Sequence, residues 1–106
     1  MVLIMITSWY PTTRAIEVAE KYIEVMQKIP DDPSIAETLV PVGVSSCKDG
    51  IEVISIGDVK KGKYDEAMNL VLRRMVMFHG IEGYRYEIKT LSTLEEAMPL
   101  IGLAPP

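Results

Sequence analysis

Hydrophobic and polar positions alternate along the chain with two different periods. Val2 to Thr7 is almost entirely apolar and too short for a helix before Pro11, so we predict a strand buried on both faces. From about Pro11 to Ile29 the apolar residues fall within an arc of about 180° of a helical wheel, which predicts an amphipathic helix. Pro11 suits the first turn of this helix, because a donor there would have no partner, and Pro30 ends it.

The middle of the chain predicts a β-hairpin. Valines alternate with other residues between about Glu37 and Ser46, which indicates a strand. Pro41 cannot donate to a central ladder, so this strand should lie at an edge of its sheet. Cys47-Lys48-Asp49-Gly50 is typical of a tight primed turn, and Ile51 to Val59 then returns as a strand that is apolar on both faces.

The last third of the chain predicts a helix, a strand and a shorter helix. A broad apolar pattern from Tyr64 to His79 indicates the second helix, with Gly80 as its left-handed cap. Tyr84 to Lys89 alternates apolar and charged positions, as expected for an edge strand with one wetted face. Ser92 and Glu95 form a capping box that should begin the third helix.

The predicted order of elements is βαββαβ followed by a short C-terminal helix. Strands one and three are apolar on both faces, whereas strands two and four carry edge features. This combination predicts an α+β fold of the ferredoxin-like type, with an antiparallel sheet of order 4-1-3-2. Two helices can cover only one sheet face, yet the first strand is apolar on both, so a second copy of the chain is the simplest cover for the other face.

Composition narrows the class of protein. The chain has 106 residues, of which 48% are hydrophobic and 25% charged, so we expect one folded domain over residues 1–106. A net charge of −4, with scattered basic residues, argues against nucleic acid as a partner. The opening apolar run is too short for a signal peptide and no basic residue precedes it, so we predict a cytoplasmic protein without a membrane segment. Cys47 is the sole cysteine, which excludes an internal disulfide and a multi-cysteine zinc site, and we predict neither metal nor cofactor.

By the order of its elements, its size and its two-faced strands, nearly the whole chain resembles the dimeric α/β-barrel superfamily. In that superfamily two ferredoxin-like sheets pack face to face, and each protomer has a small-molecule pocket between its sheet and its helices. The resemblance therefore implies a homodimer. It does not choose among the cofactor-independent oxygenases, heme-degrading enzymes, isomerases, stress-induced barrels and effector-sensing domains that share the fold.

Arg74 is the most informative charged residue. It falls inside the apolar surface of the second helix, which spans an arc of about 220°, and a guanidinium on a dry face needs a partner. One interpretation is an anion hook at the rim of a pocket. The preferred alternative is that its stem lies along apolar surface while its head reaches water or pairs across a dimer.

His79 is the only histidine and hence the only side chain with an ordinary pKa near neutrality. It is a candidate general base, but a cationic cap at the end of the second helix is the preferred interpretation. No motif supports metal or heme ligation by His79. Cys47 lacks a neighbouring base, and the basic loop Lys60 to Lys63 lacks a nucleotide-binding pattern, so neither is assigned a chemical role.

We therefore predict a homodimer that binds a small, apolar or anionic organic molecule between sheet and helices. The predicted pocket lining is Trp9, Tyr22, Met68, Arg74 and Phe78. Trp9 and Arg14 should lie at the pocket rim, where the first strand leads into the first helix. Two alternatives stay open: a cofactor-independent oxygenase or isomerase that uses His79 or a tyrosine, and a structural assembly module in which the apolar tail Leu100 to Leu103 packs against other copies.

Overall fold

The computed structural model describes residues 2–104. Four strands and three helices follow one another with the predicted order, and short 3-10 turns precede the first helix and follow the last. The elements are β1 (Val2–Tyr10), α1 (Ala15–Lys28), β2 (Ala36–Cys47), β3 (Gly50–Val59), α2 (Tyr64–Val76), β4 (Arg85–Ser92) and α3 (Leu94–Ala97). The predicted α+β class is confirmed.

The four strands form one antiparallel sheet. Counted from one edge its order is β2-β3-β1-β4, and the same row of neighbours counted from the other edge is 4-1-3-2. The edge strands are thus β2, which contains Pro41, and β4, which carries the charged alternation. Two register shifts flank Val40, so the β2 ladder is irregular beside the proline that cannot donate to it.

The first strand is three residues longer than predicted. Ser8, Trp9 and Tyr10 continue β1, because each pairs with a residue of β3, and Ser8 and Trp9 pair with β4 as well. The predicted helix start at Pro11 is therefore wrong. Pro11 is extended, a 3-10 turn follows, and α1 begins at Ala15.

The hairpin between β2 and β3 is confirmed, but its primed turn is wrong. Cys47 pairs with Gly50 across the two-residue loop. Lys48 and Asp49 both keep negative φ angles, whereas a primed turn of this type needs positive ones. Within residues 47–50 only Gly50 has a positive φ, and a Cβ there would collide with the carbonyl oxygen of Tyr10.

The connection from α2 to β4 differs from the prediction at both of its ends. The helix ends at Val76, so His79 lies beyond it, and Gly80 does not adopt the left-handed conformation. Gly83 does, with φ +81°, and a Cβ there would lie 2.8 Å from Cγ of Pro11. The tight turn before β4 therefore packs against the corner after β1.

The cap of α3 lies one residue later than predicted. Ser92 is the last residue of β4 and pairs with Val2. Thr93 is the N-cap: its Oγ1 accepts a hydrogen bond from the backbone N–H of Glu96 at 3.3 Å and donates to the Glu96 carboxylate at 3.0 Å.

Both long helices pack on the same face of the sheet. This covered face contains two buried clusters. One is Tyr10, Val18, Val25, Met75, Phe78 and Ile81, and the other is Ile4, Val59 and Ala67. Side chains alternate between sheet faces, so the odd-numbered residues of β1 lie on the face opposite α1 and α2, where they are partly buried.

The molecule is less compact than its length suggests. Its radius of gyration is 15.5 Å, whereas a folded domain of this size should have about 13 Å. Large apolar side chains are exposed in β2 and at the C-terminal end, where Leu100 is 86% and Ile101 74% exposed. In the described part of the chain, no helix has the length and apolar character needed to cross a membrane.

Candidate functional site

A cavity of about 530 Å³ lies on the covered face of the sheet, between α1, α2 and β2. Its floor is the sheet, where Ile4, Ile6 and Val53 contribute apolar side chains. Its walls come from both helices, for example Met26 of α1 and Val71 of α2. A volume of this size is within the range of roughly 300–1,000 Å³ that is typical of small-molecule pockets.

Small residues explain why this part of the molecule is hollow. Ser55 and Gly57 of β3 line the cavity, and so does Ala19 of α1. None of the three has a bulky side chain that could fill the space between helix and sheet. The cavity is therefore a property of this sequence at these positions, and larger residues there should close it.

One end of the cavity is aromatic and well packed. The ring of Tyr84 stacks on Phe78, with the centroids 4.8 Å apart, and on Tyr10 at 6.0 Å. Tyr84 Oη donates a hydrogen bond of 3.0 Å to Oγ of Ser8, which is the buried polar side chain of β1. Burial raises the pKa of Tyr84 above its usual value, and it raises the pKa of Tyr10 in the same direction.

The other end carries the charged residues of the lining. Arg74 of α2 is only 18% exposed, and its Nε donates to the carbonyl oxygen of Ile29 at 2.9 Å. Its Nη2 donates to Oδ1 of Asp31, also at 2.9 Å. Arg74 thus fixes the end of α1 against α2, and a carboxylate of the same chain already occupies part of its guanidinium.

Three of the five predicted lining residues line this cavity, namely Tyr22, Arg74 and Phe78. Met68 does not line it. It packs against the buried cluster of Ile4, Val59 and Ala67. The five predicted residues therefore do not form one site.

The prediction for Trp9 is corrected by the strand alternation. Trp9 is an odd-numbered residue of β1, so it lies on the sheet face opposite the cavity. There its Nε1 donates a hydrogen bond of 2.8 Å to Oε2 of Glu52, its partner in the neighbouring strand. Arg14, the other predicted rim residue, forms ion pairs with Glu17 and Glu82 and is not part of the cavity lining.

His79 also lies outside the cavity lining. Its Nε2 is 2.7 Å from Oη of Tyr86, and the two rings stack with their centroids 5.6 Å apart. Cys47 is exposed beside the hairpin loop. Within residues 2–104, no three side chains among His, Cys, Asp and Glu come together as a metal-binding group.

Several residues of the cavity lining were not predicted from the sequence. Ser8 and Tyr10 would have been found if β1 had been extended to its true end, because they share the face of Ile4 and Ile6. Asp31 and Asp32 lie in a Pro-rich connection that gave no sign of facing a cavity.

The sheet face opposite α1 and α2 is a second candidate surface, which we call the open face. Its apolar residues are Leu3, Met5, Trp9, Ile54 and Leu91, as the strand pairings place them. Ile56 pairs with Met5 and also borders the cavity. Charged residues of β4 border these apolar residues, including Glu87 and Lys89, which form an ion pair of 3.3 Å. An apolar centre with a charged border is the usual pattern of a protein interface.

Comparison with known proteins bears on the fold alone. No family model matches the chain, and no curated protein matches it. Among solved structures, the chain is similar to a de novo designed protein, Foldit4, with a TM-score of 0.54 and 14% sequence identity. The similarity covers 87% of this chain and 96% of the designed one.

Proposed function

We propose that the protein is a homodimer that binds a small, largely apolar organic molecule in the cavity between its sheet and its helices. The observation that carries this proposal is the cavity itself, which has about 530 Å³ and a mainly apolar lining with polar groups at its two ends. Such a combination buries the body of a ligand and orients it by a few polar contacts.

The open face supports the homodimer. A sheet of four strands, one of nine residues, spans roughly 30 Å by 19 Å, given the usual rise per residue and strand spacing. Its area of roughly 570 Å² is less than the roughly 800 Å² per partner of a stable interface, so the proposed dimer needs further surface. The tail from Leu100 to Leu103 is exposed and apolar and is a candidate for it. A second copy is the natural occupant because it presents the same apolar centre, so the two sheets can pack face to face.

Ligand binding can be tested with N-phenyl-1-naphthylamine, a neutral apolar dye whose fluorescence rises in a dry environment. We expect the dye to bind the protein with a micromolar Kd. Ala19→Phe should weaken binding at least tenfold, because Ala19 lines the cavity and a phenyl ring there fills part of it. Ile16→Phe is the matched control on the same helix, since Ile16 is 77% exposed and does not line the cavity.

Equal dye binding by wild type and Ala19→Phe would assign the signal to surface adsorption and contradict the proposal. Native mass spectrometry of the purified protein adds an independent measurement. It should report a mass of two chains and any small molecule retained from the cell.

A further inference from the structure

The charged residues of the cavity lining favour one kind of head group. They are Asp31, Asp32 and Arg74, so their formal sum is −1. Arg74 does not stand free to bind an anion, since Ile29 and Asp31 already accept hydrogen bonds from its Nε and Nη2. Asp32 is then the charge that this ion pair leaves uncompensated in the lining.

Asp32 is held in its ionised form. Its Oδ1 accepts hydrogen bonds from the hydroxyl and the backbone N–H of Ser34, and these bonds lower the pKa of Asp32. Lys63 is near enough to lower this pKa further, but its ammonium group lies 3.4 Å from the Glu66 carboxylate. Asp32 Oδ2 takes no part in the two bonds to Ser34.

The surface that adjoins this end of the cavity has the same sign. A shallow groove between the end of α1 and the start of α2 shares Asp31 and Asp32 with the cavity. Its other charged residues are Asp65, Glu66, Lys28 and Arg73. Four carboxylates thus face two cations in the groove. Asp31 pairs with Arg74, Glu66 with Lys63 and Lys28 with Glu24. Asp32, Asp65 and Arg73 are then left, and their formal sum is −1. A negative potential at the opening attracts cations and repels carboxylates.

From this arrangement we infer that the ligand has an apolar body and a cationic amine head, which lies near Asp32. The inference rests on the proposed function and adds the chemical class of the ligand to it. It replaces the anion hook that the sequence suggested for Arg74, because Asp31 occupies that guanidinium.

Three ligands that differ only in their head group test the inference. Decylamine, 1-decanol and decanoate share one alkyl chain, and each can be titrated against the bound dye at pH 7, below the concentration at which it aggregates. We expect decylamine to displace the dye at a concentration at least tenfold lower than decanoate, with 1-decanol between them. Because the preference is electrostatic, 0.5 M salt should reduce it.

Asp32→Asn keeps the acceptor for Ser34 and removes the charge, so it should lower the ratio of amine to carboxylate affinity by threefold or more. Glu20→Gln is the matched control, because it removes one exposed carboxylate that does not line the cavity. Decanoate that competes as well as decylamine, while the dye still binds, would overturn the head-group inference alone. An equal effect of the two substitutions would also overturn it, whereas a protein that fails to bind the dye would contradict the proposed function and this inference together.

Discussion

The two faces of the sheet contain similar residues but differ in how far these residues are buried. On the covered face Ile4 is 4% exposed, and Ser8, four residues further along β1, is equally buried. On the open face their neighbours Met5 and Trp9 stay partly exposed. Residues 2–104 form two long helices, and both lie on the same face. Apolar residues on both faces of a strand therefore indicate that both faces are to be buried. They do not indicate whether the same chain buries both.

The covered face is itself divided into a filled and a hollow part. Around Tyr84, at one end of the cavity, the aromatic rings stack on one another and Ser8 accepts a hydrogen bond. Beside α1 the residues Ala19, Ser55 and Gly57 are small and leave space for the cavity. Burial of a face is thus compatible with a binding site, provided that small residues oppose one another across it.

The largest expected effect is a difference in stability between substitutions at two neighbouring residues of β1, which lie on opposite faces of the sheet. Ile4→Ala should lower the free energy of unfolding by about 2–5 kcal/mol, because it removes a buried side chain that packs with Val59 and Ala67. Met5→Ala, one residue along and on the open face, should cost less than Ile4→Ala in the monomer, because Met5 is only partly buried. Urea unfolding at a dilution where the chain is monomeric measures both values, and equal losses would contradict the division into covered and open faces.

The next effect concerns the open face in the proposed dimer. Ile54→Lys places a charge at its centre, and we expect it to weaken dimerisation at least 100-fold while the far-ultraviolet circular dichroism stays unchanged. Sedimentation velocity measures the masses, and the emission of Trp9, the only tryptophan, reports on the same surface.

Ile16→Lys is the control for the dimer experiment, since it adds the same charge at an exposed position of α1. It should leave the dimer intact and the Trp9 emission unchanged. A wild-type protein that sediments only as an 11.8 kDa species at micromolar concentration would refute the dimer.

The order and type of the elements could be predicted from the sequence because they depend on local periodicity. The ends of the elements could not, and one of them had consequences for the site. Ending β1 at Thr7 rather than at Tyr10 left Trp9 free to be assigned to a pocket. Pairing with two neighbouring strands holds Trp9 in the extended conformation, and such long-range contacts cannot be read from a local pattern.

The partners of charged residues could not be predicted from the sequence either. The sequence indicated that Arg74 needed a partner, but Asp31 is 43 residues away from it. The same limit applies to Gly83, whose left-handed conformation and closeness to Pro11 depend on a contact between two distant corners. Local propensity instead favoured Gly80, which follows the apolar pattern of α2 directly.

The smallest expected effect is a pH dependence of stability that arises in the filled part of the covered face, around Tyr84. Burial raises the pKa of Tyr84 above its ordinary value of 10.0, so the folded protein keeps the phenolic proton where the unfolded chain has lost it. The stabilisation is complete below about pH 10, the unfolded value, and is lost as the pH rises toward the folded pKa. The loss cannot exceed about 1.4 kcal/mol per pH unit for one proton.

Tyr84→Phe should remove this contribution. At pH 7 the variant loses about 1 kcal/mol with the hydrogen bond to Ser8, whereas above pH 10 its free energy of unfolding should fall less steeply than that of wild type. Tyr10→Phe should act in the same direction, because burial raises the pKa of Tyr10 as well. Urea unfolding between pH 7 and pH 11 measures both slopes. Parallel curves for wild type and Tyr84→Phe would mean that water reaches this hydroxyl, and the aromatic end would then belong to the hollow part of the covered face.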